Sequence, residues 1–187
     1  MKSASAFQLR LATEDDIPAL QALIEVSVRV LQAGDYTKAQ MDGALGTVLG
    51  IDTQLIHDRT YFVAETTTGS RRMAGCGGWS HRKTLLGADR AAGREPERLD
   101  PATDAAKIRA IFVHPEFARQ GLGSLILKTV EDAARAAGFR RFEMGSTLTG
   151  VPLYRLRGYM EVERISVPLA NGEVVPVVKM VKNNQPA

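Results

Sequence analysis

The stretch whose residue types could hold a charged ligand is Gln120-Gly121-Leu122-Gly123-Ser124. It follows the short apolar run Ala110–Val113, which Pro115 closes because proline has no N–H for a ladder. After it, Leu122, Leu125, Ile126, Thr129, Val130, Ala133 and Ala137 recur at helical spacing. The order is strand, glycine turn, helix, so the turn sits where the first helical N–H groups lack carbonyl partners. Gly121 and Gly123 carry no Cβ, and a ligand can come close to the backbone. Bare amides at the positive end of a helix dipole form an anion site, and a phosphate-bearing ligand is the expected occupant. A P-loop is excluded because no lysine follows Gly123. A dinucleotide fingerprint needs glycine or alanine three residues past Gly123, where Ile126 stands. A plain tight turn remains the alternative on local pattern alone.

The same residues resemble the core motif of the Gcn5-related N-acetyltransferase (GNAT) superfamily, Gln/Arg-x-x-Gly-x-Gly/Ala. Gly121 and Gly123 match its glycines; the first position is Ala118, a departure, with Arg119 one step later. The resemblance runs in order of elements from about Phe7 to Met180. It implies that Arg119, Gln120, Gly121, Leu122, Gly123 and Ser124 bind the pyrophosphate of acetyl-coenzyme A, and that Ile111, Phe112 and Val113 contact its pantetheine arm. It further implies an α/β fold with a mixed, mostly antiparallel sheet of about seven strands flanked by about four helices.

A second matching piece is Leu153-Tyr154-Arg155-Leu156-Arg157-Gly158-Tyr159. In the family its tyrosine protonates the leaving thiolate of coenzyme A, which makes Tyr154 the expected catalytic residue. A phenol with a pKa near ~10 is protonated at neutral pH and can serve a thiolate near ~8.5; a tyrosine packed at a helix–strand corner is the other reading. By the same resemblance a neutral amine attacks the thioester directly, and a bulge in the central strand frees an N–H near Phe112 or Val113 for the oxyanion. Some members carry a glutamate base on that strand. Here it carries Lys107 and Arg109, so water, His81, Ser80 or Glu65 are the substitutes.

The remaining elements must position these groups. Phe7, Leu9 and Leu11 alternate as a strand, and Ile17, Leu20, Ile24, Val28 and Leu31 follow helical spacing behind a Thr13/Asp16 capping pattern. Thr37 and Gln40 open a second helix, expected to run through Met41, Leu45 and Val48 to Gly50. By resemblance these two helices border the acceptor pocket, with Tyr36 either at its mouth or packed at the helix junction. Tyr61–Ala64 and Met73–Ser80 form a hairpin, and Gly75, Gly77 and Gly78 thin its second strand for a bulge or a close backbone approach. Trp79, Ser80 and His81 either face the acceptor or, for Trp79, join the core. Cys76 reads as a small buried hydrophobe. Residues 84–103 lack apolar periodicity and read as a surface loop that covers the acceptor site or is a solvated insertion. Later come Phe142–Gly145, a short helix Val151–Leu156, Val162–Leu169, the hairpin signal Asn171-Gly172 and a last strand Val174–Val181, with Pro176 arguing for an edge.

The 187 residues, with 44% hydrophobic and 24% charged content, fit one N-acetyltransferase domain over 1–187, core about 7–182, with short flexible termini. A net charge of +3 spread along the chain, with 6% aromatics, argues against nucleic acid as a partner. There is no leader pattern and no apolar run of ~18 residues, so no membrane partner and a cytoplasmic location are expected. His57, His81 and His114 are too dispersed for a local metal motif, and no metal is expected. The expected partner is a small-molecule or peptide amine acceptor. A homodimer through the late hairpin is implied by analogy with relatives. The competing function is a sensor of the same fold that holds acyl-coenzyme A without turnover.

Overall fold

The computed structural model describes residues 6–183; the chain ends expected to be flexible lie mostly outside them. Strand β1 (Phe7–Leu11) leads into helix α1 (Ile17–Leu31), then α2 (Lys38–Ala44) and α3 (Thr53–His57). The hairpin β2 (Tyr61–Thr66) and β3 (Met73–Ser80) precedes β4 (Ala106–Val113), α4 (Leu122–Ala136) and β5 (Arg141–Thr147). Helix α5 (Val151–Leu156) and the hairpin β6 (Met160–Pro168) and β7 (Val174–Asn183) complete the fold.

The sheet runs β1-β2-β3-β4-β5-β7-β6. Every pairing is antiparallel except β4 with β5. Helices cover both faces. On one, Leu122, Ile126, Val130 and Ala134 of α4 pack with Trp79, Phe139 and Phe142. On the other, Leu20, Leu23, Ile24 and Val28 of α1 pack with Tyr61, Val63 and Phe112. Neighbouring residues Val63 and Ala64 fall in opposite layers, as the two-residue period of a strand requires.

Local chemistry sets the ends of the helices. The Gln40 amide N–H donates to Thr37 Oγ1 at 3.1 Å, and the Gln40 side chain accepts from the Thr37 N–H at 2.9 Å, which starts α2. That helix stops at Ala44 instead of continuing to Gly50. Leu45 turns extended and Gly46 takes φ 80°, sending the chain to Asp52, whose carboxylate caps α3 at Gln54 N–H (3.2 Å). The glycines of β3 allow close approach: a Cβ at Gly77 would lie 2.6 Å from Ile126 Cγ2 of α4, and one at Gly75 would lie 3.0 Å from the Phe112 carbonyl.

Pro176 does not lie on an edge. Strand β7 sits between β5 and β6, and β6 is the outer strand. The proline is tolerated because pairing with β5 ends one residue away, at Thr147↔Val177. Its carbonyl accepts from the Tyr36 hydroxyl at 2.7 Å, and that hydroxyl accepts from the Leu148 N–H at 2.9 Å. Tyr36 is therefore a buried clasp between the helix corner and the late strands, not a residue at a pocket mouth.

Candidate active site

Strands β4 and β5 pair only at Ala106↔Phe142 and Lys107↔Glu143. Beyond that pair the parallel strands diverge, and the sheet opens into a wedge. A cavity of about 70 Å³ lies in it. Its walls are Ile108–Phe112 of β4 and Met144–Thr147 of β5. It reaches both helical layers, since Tyr154 and Met144 belong to the α4 core and Leu49 and Phe112 to the α1 core.

Strand β4 is bulged where it lines the wedge. Cys76 pairs with Phe112 but Gly78 with Arg109, so β4 holds one extra residue there. Ala110 absorbs it with φ 51°, and its carbonyl accepts from the buried Tyr61 hydroxyl at 3.1 Å. The bulge thus lies at Ala110–Ile111, slightly before the position implied by resemblance. The His114 N–H donates to the Ala74 carbonyl at 2.8 Å, and the Phe112 N–H faces Cys76 Sγ. Successive backbone groups of a strand alternate in direction. Ile111 and Val113 therefore aim theirs away from β3 and toward the wedge, whereas the Phe112 amide is turned away from it.

At the outer end of β4 a single turn, Pro115–Phe117, leads to α4. Arg119 and Gly121 both take left-handed backbone, at φ 62° and 82°, just before the helix begins at Leu122. A Cβ on Gly121 would meet nothing within 4 Å, so the amides at this end face open space. Gly123 has a packing reason too: a Cβ there would come within 3.1 Å of Leu153 Cδ2 of α5. Leu122 buries its side chain in the core and can offer a ligand only its backbone. The Gln120 side chain donates to the Glu116 carbonyl at 2.9 Å. Ser124 Oγ accepts from Arg157 Nη2 at 2.8 Å and Nε at 3.1 Å. Arg157, absent from the residues singled out above, thus stands as a cation at the helix mouth; its place in the Tyr154 segment was the available signal.

Tyr154 lines the cavity from α5, and burial pushes its phenol well above the ordinary value. The structure therefore brings the end of β4, the start of α4 and Tyr154 around one wedge. It does not bring Trp79, Ser80 or His81 there. Trp79 packs edge-on against Phe139 at 5.7 Å, Ser80 Oγ accepts from the Arg82 N–H at 3.0 Å, and His81 stands 3.5 Å from Asp58. Glu65 is engaged with Arg10 at 2.8 Å on β1. The buried Cys76 thiol is pushed up to about 12 by desolvation and stays protonated.

The far end of the cavity is built by residues with no sequence signal: Gln32, Val48, Leu49 and Gly50 after α1 and α2, and Leu85, Leu86 and Gly87 from the irregular segment before β4. Arg109 holds that segment down. Its guanidinium donates to the Thr84 carbonyl at 2.8 Å, to the Gly87 carbonyl and to Asp52 at 2.9 Å; both charged side chains are buried. Arg94 reaches the other Asp52 oxygen at 2.7 Å. Gly145 leaves room for Leu86, which would meet a Cβ there at 2.9 Å. Among the described residues no cluster of histidine, cysteine or carboxylate side chains could hold a metal ion, and no helix is long and apolar enough to cross a membrane.

A bulged central strand that parts from its parallel neighbour, with glycine-led amides at the wedge mouth, is a frame for an extended anionic ligand. The family model for the acetyltransferase (GNAT) family matches residues 27–159, and the chain belongs to this family. No curated protein sequence matches it. Among solved structures it is similar to a GCN5-related N-acetyltransferase from Rhodopseudomonas palustris, with 19% identity, TM-score 0.67, and 98% of this chain and 99% of that chain covered. It is also similar to the PaiA N-acetyltransferase of Thermoplasma acidophilum in complex with coenzyme A (11% identity, TM-score 0.63, coverage 96% and 99%). A third is the ribosomal-protein-S18-alanine N-acetyltransferase of Escherichia coli (15% identity, TM-score 0.56, coverage 97% and 96%). At these identities the likeness is one of fold.

Proposed function

We propose that this acetyltransferase moves the acetyl group of acetyl-coenzyme A to an amine by direct attack. The observation that carries the reading is the wedge between β4 and β5 ending at the glycine-led start of α4. The amides of Arg119–Ser124 hold the diphosphate, with the helix dipole and Arg157 adding positive potential. The pantetheine arm lies along Ile111–Val113, where it takes the ladder positions that β5 leaves open. Phe112 contributes its side chain only, because its N–H faces β3.

The thioester carbonyl then lies beside the bulge, and an amide of Ile111 or Val113 donates to the oxygen as it gains charge. The amine nitrogen attacks the carbonyl carbon, the C–S bond breaks, and the amide product forms. The proton lost by the amine ends on sulfur. Tyr154 stays protonated because its site is desolvated, so it is a hydrogen-bond donor for the developing thiolate and the group through which that proton reaches it. Among the described residues no carboxylate lines the cavity, so the amine proton passes first to water, and water returns a proton to the phenolic oxygen as the phenol protonates sulfur. The segment before β4 walls the acceptor end and excludes bulk solvent.

The test is a calorimetric titration with coenzyme A and acetyl-coenzyme A, followed by thiol release with an amine panel. Binding with release that depends on the amine is the expected result. Tight binding with no release from any amine would favour a sensor, and absence of binding would refute the assignment of the wedge.

A further inference from the structure

Among the described residues three other than glycine take left-handed backbone, Arg59, Ala110 and Arg119, and of these only Ala110 lies inside a strand. Its φ of 51° is disfavoured for an L-residue, and a methyl side chain has no polar group to offset the penalty. Such strain persists only where surrounding contacts hold it, and it gathers at functional sites. The holding contact here is Tyr61. Its side chain is fully buried, and its hydroxyl donates to the Ala110 carbonyl at 3.1 Å. The same hydroxyl lies 3.2 Å from Cys76 Sγ, which the Phe112 N–H faces. Tyr61 opens β2, and β3 separates that strand from β4. The ring crosses beneath β3 because Gly78 has no side chain; a Cβ there would stand 2.6 Å from Tyr61 Cδ2. Burial keeps the phenol protonated, so it remains a donor across the neutral range.

The Ala110 carbonyl and the Ile111 N–H belong to one peptide plane. In a trans peptide the two point in opposite directions, and no cis bond occurs among the described residues. A carbonyl drawn toward Tyr61, in the α1 layer, therefore sends the Ile111 N–H away from that layer. Ala110 and Ile111 both line the cavity between β4 and β5, whereas Tyr61 does not. We infer that Tyr61 is a positioning residue for acyl transfer: its hydroxyl holds the bulged peptide so that the Ile111 N–H, rather than that of Val113, donates to the thioester oxygen. Ala110 stores the opposing strain, and the peptide relaxes when the hydroxyl is removed. This inference rests on the acetyl transfer proposed above and assigns its oxyanion donor.

The experiment binds acetyl-coenzyme A carrying an isotope label in its thioester carbonyl and reads that carbonyl by infrared difference spectroscopy. Thiol release with an amine panel is measured alongside. In the unaltered protein the band should lie below that of acetyl-coenzyme A free in water, because a fixed donor in a water-poor site polarises the bond more than bulk water does. Tyr61→Phe keeps the ring and removes only the hydroxyl. It should return the band toward the free position and lower kcat about tenfold or more, with the acetyl-coenzyme A Kd unchanged. Adding Ala110→Gly to Tyr61→Phe should recover part of the band shift and raise kcat about threefold or more, because glycine takes left-handed backbone freely. An unmoved band or a preserved kcat in Tyr61→Phe, equal losses of kcat and acetyl-coenzyme A affinity, or a double variant no faster than Tyr61→Phe would overturn the inference. So would an unaltered protein that transfers acetyl groups yet shows no lowered band. Failure of the unaltered protein to bind acetyl-coenzyme A, or to release thiol with any amine, would instead refute the transfer reaction itself.

Discussion

Replacing Gly121 by alanine separates the backbone role of this turn from its ligand role. Gly121 sits at φ 82°, and an added Cβ would touch no protein atom within 4 Å. The variant therefore meets no steric clash inside the protein. Holding an L-residue in left-handed backbone costs about 1–2 kcal/mol, which for a chain of this size lowers Tm by about 2–8 °C. The Cβ also projects into the open space where the diphosphate is proposed to lie. If it displaces the phosphate from one amide, the loss is that of a hydrogen bond to a charged group, about 1.5–3 kcal/mol. Coenzyme A affinity should then fall by about 10- to 150-fold. The control is Gly69→Ala in the β2–β3 turn. Gly69 has φ 71° and the same open surroundings, so it carries the same backbone penalty at a remote position. Both variants should show the Tm drop by scanning calorimetry, and only Gly121→Ala should lose coenzyme A affinity by titration calorimetry. Equal affinities in the two variants would refute the reasoning.

Other consequences are testable with single substitutions. Tyr154→Phe should lower kcat on the order of 10²-fold with the KM for acetyl-coenzyme A unchanged; a wild-type rate removes the phenol from the proton path. Glu131 is buried on α4 and accepts from Lys182 at 2.9 Å, Arg135 at 2.7 Å and the Tyr159 hydroxyl at 2.9 Å. Glu131→Ala takes the shared acceptor from the Lys182 ammonium and the buried Tyr159 hydroxyl, while Arg135 keeps Asp132 at 2.9 Å, and should cost about 3 kcal/mol, read as the shift in a urea unfolding curve. Arg10 holds the Asp16 carboxyl down to about 2, below its unfolded value near ~3.9. The stabilisation is complete above the unfolded value and is lost as pH falls through about 4 toward 2. Water screens Arg10, which is 38% exposed, so Asp16→Asn should remove no more than about 1 kcal/mol at pH 7. It should also flatten stability against pH on the acid side; an unaltered acid limb would show the pair to be idle.

Features that depend on a few consecutive residues were legible in the sequence. The strand, glycine turn and helix around Gly121 follow from apolar periodicity and the αL position that only glycine takes freely. The Thr37/Gln40 capping box and the Asn171-Gly172 hairpin are likewise contacts within three or four positions. The early end of α2 escaped this reading because Leu45 and Val48 keep helical spacing while Gly46 turns the backbone left-handed.

Only the tertiary structure decided where β4 and β5 part, that β7 rather than β6 lies inside the sheet, and which side chains close the far end of the cavity. These depend on partners far apart in the chain. Arg109 and Asp52, which pin the wall of the cavity, stand 57 positions apart, and the Tyr36 hydroxyl joins groups more than 100 positions away. The sequence determines short-range hydrogen bonding and apolar period, and so the glycine turn that opens α4. The far end of the cavity arises from packing between distant segments, because charge pairing and desolvation act through space and carry no fixed spacing along the chain.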